Sequence, residues 1–284
     1  PPQALEIGGR LFEWGARTYV MGIINVTPDS FSGDGLLAAN ADPVAAAVAQ
    51  ARHMVAEGAD LLDIGGQSTR PGHVEISTEE ELARVVPVIQ ALHAALPDMP
   101  LSVDTTSARV ADAGLDAGAH LVNDVWGTAA EPDLLRLAAQ RGVPIVLMHN
   151  RAEARYRNVV AEVIADLSRA VDAAIAAGIH WERLIVDPGI GFGKTAAHNL
   201  AVLHDLAALQ VLARPILLGA SRKSTIGKVL DLPADQRLEG TLATTVIGVG
   251  AFVDIVRVHD VQPNVRAARM ADAVIRAGGR EMNR

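Results

Sequence analysis

Eight times along this 284-residue chain, an apolar run stops at side chains that can bind or move charge. The stopping points are Asn25, the run GGQSTR at 65–70, Asp104, Asn123 with Asp124, Met148 with His149, Asp187, Ser221-Arg222-Lys223, and Arg257-Val258-His259. They sort into two chemistries. Asp104, Asn123 and Asp187 can donate or accept in pairs, which suits a flat heterocycle carrying adjacent N–H and amino groups. Arg70, Lys223, Arg257 and His259 make a cationic set suited to phosphate. Glycine-rich turns next to them can add backbone N–H donors. Taken singly, each residue has an ordinary explanation: a strand-end Asp caps the next helix, and a lone Arg is a solvated charge. Brought to one place, they make a site.

Residues 19–24 (YVMGII) are apolar and rich in strand formers, so they read as a buried strand. At Asn25 the chain turns to loop formers, and Pro28 pushes Thr27 out of helix. The same change recurs downstream. Gly58, Gly118, Gly142, Gly178 and Gly250 each end a helical stretch shortly before an apolar run, as left-handed C-caps do. Asp42-Pro43 predicts an N-cap with proline at the first helical position, and Ser77 with Glu80 predicts a capping box. From Asn25 to Arg257 the strand ends lie about 33 residues apart on average, the size of one strand–helix unit. Such alternation means a parallel sheet, and eight units in this length fit a (β/α)8 TIM barrel with every strand end at one mouth. A doubly wound open sheet is the alternative. Residues 5–13, centred on Gly8-Gly9, predict a short hairpin ahead of the barrel. No linker or composition shift divides the chain, so residues 1–284 read as one domain.

Half of the residues are hydrophobic and only 3% are aromatic, so small aliphatic side chains must fill the core. A net charge of −8 argues against nucleic acid as the main partner, and few aromatics leave few stacking platforms for bases. The absence of cysteine excludes disulfides, thiolate metal sites and cysteine nucleophiles, with the cytoplasm the default compartment. The longest apolar run, 246–253, falls far short of the ~20 residues that span a membrane. Residues 1–10 lack a signal-peptide pattern. The expectation is a soluble protein without a membrane partner.

One familiar motif is incomplete. Residues 191–195 (GFGKT) end like a phosphate-binding P-loop, but its first glycine would fall at Pro188. Nucleotide triphosphate hydrolysis is rejected on that ground. The nine histidines are scattered with no His-Glu-x-x-His, which argues against zinc. His149 and Trp126 read as packing or hydrogen-bonding residues.

Five runs in order resemble dihydropteroate synthases: NVTPDSF (25–31), GGQSTRPG (65–72), DPGIGF (187–192), GASRKS (219–224) and VRVH (256–259). The resemblance extends from about Leu5 to the C-terminus. It implies a barrel enzyme of folate biosynthesis, a homodimer using Mg²⁺, whose substrates are 6-hydroxymethyl-7,8-dihydropterin pyrophosphate and p-aminobenzoate. It further implies that Asp104, Asn123, Asp187 and Lys223 line a pterin pocket, with Met148 and Arg257 against the ring. Asn25, Arg70, Arg257 and His259 become the diphosphate end, with Asn25 the metal contact. Thr69, Arg70, Phe192 and Ser221 become the p-aminobenzoate side, where any sulfonamide response would be decided. Asp104, Lys223, Arg257 and His259 are the residues expected to carry catalysis. The loops at 26–35 and 67–77 resemble a pair that closes over both substrates.

The chain departs from the family pattern twice. Gln67 stands where Gly-Gly-Glu-Ser is usual, and a short segment, NRAEAR (150–155), follows His149. Two other readings stand beside the synthase: a pterin-dependent methyltransferase barrel needing a corrinoid partner, and a non-catalytic pterin-binding homologue.

Overall fold

Gly8 and Gly9 adopt φ of +56° and +77° in the computed structural model, which describes residues 4–27, 42–67, 76–126 and 132–276. Two left-handed residues are what a two-residue hairpin turn needs. They join β1 (Ala4–Ile7) to β2 (Arg10–Glu13) antiparallel, with Ala4 opposite Glu13 and Ile7 opposite Arg10. The expected hairpin is present.

Eight parallel strands follow: β3 (Tyr19–Asn25), β4 (Leu61–Gly65), β5 (Leu101–Asp104), β6 (Leu121–Asp124), β7 (Ile145–Met148), β8 (Leu184–Asp187), β9 (Leu217–Leu218) and β10 (Ile255–Val258). The hydrogen-bonded order runs β8-β7-β6-β5-β4-β3-β10-β9. A single parallel bridge, Val186 to Ile216, joins the ends of that order and makes a nearly closed ring. The fold is therefore a (β/α)8 barrel and not an open sheet. Between the strands run α1 (Pro43–Ala56), α2 (Thr78–Ala95), α3 (Ala108–Asp116), α4 (Pro132–Arg141), α5 (Val159–Ala176), α6 (Ala196–His204), α7 (Ser224–Leu230) and α8 (Leu238–Gly250), with α9 (Val261–Ile275) after β10. None of the described helices is long and apolar enough to cross a membrane.

Helix ends follow local chemistry. The Asp42 carboxylate accepts from Val44 N at 3.0 Å, and Ser77 Oγ accepts from Glu80 N at 3.2 Å. Only half of the expected capping box forms, because Glu80 pairs with Arg84 one turn on. Four of the five helix-ending glycines have positive φ, but Gly250 is the last helical residue and Phe252 takes the left-handed conformation at +60°.

Alternate residues of each strand face opposite ways, which builds the barrel in layers. Outward, Val20, Leu62, Val103, Val122, Leu147, Val186 and Val256 pack on the helices. Inward and near the strand starts, Tyr19, Met21, Leu61, Leu121, Val146, Ile185, Leu217 and Ile255 fill the lower barrel, where Ile7 and Phe12 of the hairpin join them. Two residues further along β4, β6, β8 and β10 the inward positions turn polar.

Candidate active site

In that upper tier, Asp63 of β4 sits two residues beyond Leu61, Asn123 two beyond Leu121, Asp187 two beyond Ile185, and Arg257 two beyond Ile255. Arg257 organises the group. Its Nε donates to Asp63 Oδ2 at 2.6 Å and its Nη2 to Asp104 Oδ2 at 2.8 Å. Asn123 Nδ2 donates to the same Asp63 oxygen at 2.9 Å. Asp63 is wholly buried and the Arg257 side chain is 16% exposed. Gly65, beside Asp104 in register, leaves that carboxylate its space, since a Cβ there would lie 3.3 Å from Asp104 Oδ2.

Burial sets the electrostatics. It pushes the Asp104 carboxyl well above its usual range, with the Asp63 charge adding and Arg257 opposing. Asp187 rises to about 6, mainly by burial, although Gly189 N donates to its Oδ1 at 2.7 Å. Lys223 falls to about 8 through burial and then the Arg257 charge, against the pull of Asp187 and Asp104. The ammonium of Lys223 lies 4.0 Å from the centre of the Phe192 ring, a cation–π contact.

Ser221 and His259 meet at the loops after β9 and β10. Ser221 Oγ accepts from His259 N at 3.2 Å and lies 2.9 Å from His259 Nδ1. Burial, then Arg222 and Arg257, push the imidazole down to about 3. The His259 ring is then neutral and can meet the serine oxygen with either tautomer, Nδ1 accepting its proton or donating to it. Arg222 (φ +56°) forks onto Asp260 at 3.0 and 2.6 Å, tying the two loops together.

Asp104, Asn123, Asp187, Lys223, Arg257, Met148, Phe192, Ser221 and His259 all lie at or just past the carboxyl ends of their strands, as expected. Asn25 ends β3 opposite Gly65. Thr69 and Arg70, and most of both expected closing loops, lie outside the described residues. Two participants were missed. Asp63 looked like one more residue of an apolar run, LLDIG, although a lone carboxylate there was the available signal. Lys194 was set aside with the incomplete P-loop, yet it contacts His149.

The model of the pterin binding enzyme family matches residues 21–259. A dihydropteroate synthase of Clostridium beijerinckii is 47% identical, covering 96% of this chain and all of that one. The crystal structure of a Clostridium difficile dihydropteroate synthase in the presence of pteroic acid superposes with a TM-score of 0.88 at 46% identity, covering 93% of this chain and 99% of that one. The Xanthomonas albilineans enzyme with 4-aminobenzoic acid gives 0.90 at 43%, covering 96% and 98%. With its barrel, polar tier and near full-length similarity, the chain belongs to the dihydropteroate synthase family of pterin-binding transferases.

Proposed function

We propose that the chain condenses 6-hydroxymethyl-7,8-dihydropterin pyrophosphate with p-aminobenzoate, giving 7,8-dihydropteroate and pyrophosphate in folate biosynthesis. One observation carries the reading: Arg257 is clamped between Asp63 and Asp104 in the tier that also holds Asn123 and Asp187, with Lys223 in electrostatic reach. Paired acceptors and an amide match the donor edge of a pterin. Asp63 Oδ1, buried and without a hydrogen-bond partner among the described residues, is left for a ligand donor.

Asp104, Asn123, Asp187 and Lys223 hold the pterin, with Met148 and Arg257 against its ring. Asn25, Arg70, Arg257 and His259 receive the diphosphate, while Thr69, Arg70, Phe192 and Ser221 position p-aminobenzoate. The methylene–oxygen bond breaks with its electron pair on the departing diphosphate, and the fixed arginines stabilise that charge. The Asp104 carboxylate is placed to stabilise the cation left on the pterin methylene. The arylamine lone pair then forms the C–N bond and its surplus proton leaves, so no protein nucleophile is required.

Mg²⁺ fits this donor set in a limited way. Among the described residues no three carboxylate or imidazole groups cluster, and Asn25 offers one amide oxygen. That suits an ion which keeps waters and is held largely by substrate phosphates. When bound, it offsets charge on the diphosphate.

A single-domain, cytoplasmic homodimer completes the proposal. Val246 and Ile247 of α8, Phe252, and Met270 and Val274 of α9 expose large apolar side chains on two helices packed together. Such a patch is what a subunit contact covers.

The test supplies the pterin pyrophosphate and p-aminobenzoate with Mg²⁺ and follows pyrophosphate and dihydropteroate. Stoichiometric release of both is expected. Pterin binding without release would instead identify a non-catalytic homologue, and methyl transfer to a corrinoid protein a methyltransferase.

A further inference from the structure

Lys194, the lysine of the incomplete P-loop, turns its ammonium onto three groups of the protein itself. Its Nζ lies 2.7 Å from His149 Nδ1, 3.0 Å from the Gly189 carbonyl and 3.1 Å from the Phe192 carbonyl. Three acceptors match the three protons of the ammonium, the form present below about pH 7, to which burial lowers the Lys194 pKa. His149 must then accept at Nδ1 and carry its proton on Nε2, which lies 3.1 Å from Asp166 Oδ2. The His149 side chain is 1% exposed, and burial followed by the Lys194 charge holds it neutral at neutral pH. Asp166 is in turn held by Arg151 and Arg169.

The network ends at a functional contact. The two carbonyls that Lys194 grips bracket residues 189–192, and Phe192 at the far end lies on the Lys223 ammonium. On its other side the same turn is held by Asn199, whose Oδ1 accepts from Gly191 N at 2.9 Å and whose Nδ2 donates to Thr225 Oγ1 at 2.9 Å. The turn has little slack. A Cβ on Gly191 would lie 3.0 Å from Lys223 Cδ, and Tyr156 OH donates to the Gly193 carbonyl at 2.8 Å.

We infer that Lys194, backed by His149 and Asp166, is a positioning residue that holds the turn at 189–192 so that the Phe192 ring covers Lys223 on the p-aminobenzoate side. The inference rests on the proposed synthase reading for the identity of that side. Lys194 touches no reacting atom in this role. Of the pterin-facing groups, Asp63, Asp104 and Asn123 sit on strands that the network does not hold and only Asp187 meets it, through Gly189 N at 2.7 Å, so its loss weighs on p-aminobenzoate more than on the pterin.

The absence of cysteine permits a clean test. Lys194→Met removes the donors but keeps the length. Lys194→Cys, alkylated with 2-bromoethylamine while unfolded and then refolded, restores an amine at nearly the same reach, with the wild type taken through the same cycle. In Lys194→Met, KM for p-aminobenzoate should rise about tenfold, the scale of a displaced contact remote from the chemistry. The dissociation constant for a pterin ligand, read by fluorescence titration, should stay within about twofold. By hydrogen exchange, the peptide at 188–194 should lose protection while β8 keeps its own. Aminoethylated Lys194→Cys should return both readouts toward wild type, and the unmodified cysteine variant serves if Lys194→Met does not fold. Unchanged KM or unchanged exchange overturns the inference, as does a pterin affinity that falls as far as KM rises. A wild type without synthase turnover would refute the functional reading separately, and the exchange comparison would then decide the strut alone.

Discussion

Arg257 reaches past β3 to Asp63, its Nε 2.6 Å from Asp63 Oδ2, although the two residues are 194 positions apart in the chain. β3 lies between their strands in the sheet, so the pair bridges β10 and β4 inside the barrel. Asp63 thereby fixes the guanidinium that also holds Asp104. Replacing Asp63 with Asn keeps the shape and removes the charge. Turnover should fall roughly 10²-fold, the usual loss when one preorganised electrostatic contact is removed. Stability should drop by roughly 2 kcal/mol for a weakened charge-assisted hydrogen bond. Steady-state kinetics with a denaturant midpoint reads both, and wild-type turnover would show that Asp104 aims Arg257 unaided.

The acid and base limbs of activity belong to different groups, the acid limb to Asp104 and Asp187, both raised by burial, and the alkaline limb to Lys223. Asp187, raised to about 6 by burial, loses its charge as pH falls below that value. Lys223, lowered to about 8 by burial and Arg257, loses its charge as pH rises above it. A bell-shaped profile of kcat/KM is expected, its acid limb between about 6 and 7 and its alkaline limb near 8. Lys223→Gln should cut turnover roughly 10²-fold and abolish the alkaline limb alone. An alkaline limb that survives the substitution would belong to some other group.

Gly189 combines φ of +67° with a backbone approach so close that a Cβ would run into the His149 carbonyl oxygen. Gly189→Ala should therefore cost roughly 2–4 kcal/mol, more than ordinary left-handed strain, because the β7 and β8 loops must move apart. Equilibrium unfolding in urea measures it. A loss under about 0.5 kcal/mol, the range of neutral surface changes, would mean the two loops part easily.

Ile247→Glu tests the proposed subunit contact. It places a charge in the exposed apolar face of α8 and α9 without touching the barrel interior. Sedimentation velocity should show the wild type as a dimer and the variant as a monomer with unchanged thermal unfolding of the subunit. A wild type that sediments as a monomer at micromolar concentration removes the homodimer from the proposal.

The barrel was legible because every strand announces itself twice, by an apolar run and by the polar residue that ends it. Asp104, Asn123 and Asp187 mark such ends, and all lie where the alternation of strand faces requires. Asp63 escaped because it sits inside its run, two residues short of Gly65, and not at the strand end where the other polar groups stand. Lys194 escaped for another reason: its partner His149 lies 45 residues away, and only the folded loops bring them together. The neutrality of the His259 ring was not legible, since burial and two nearby guanidiniums, which lower its pKa, are properties of the fold.

The hairpin and the hydrocarbon tier beneath the site have a thermodynamic consequence. Among the described residues, the buried carboxylates and Arg257 rest on a floor of apolar side chains. A ligand seated in the opening would dry all of these groups in one event, and each attraction among them would then strengthen together as the local dielectric fell.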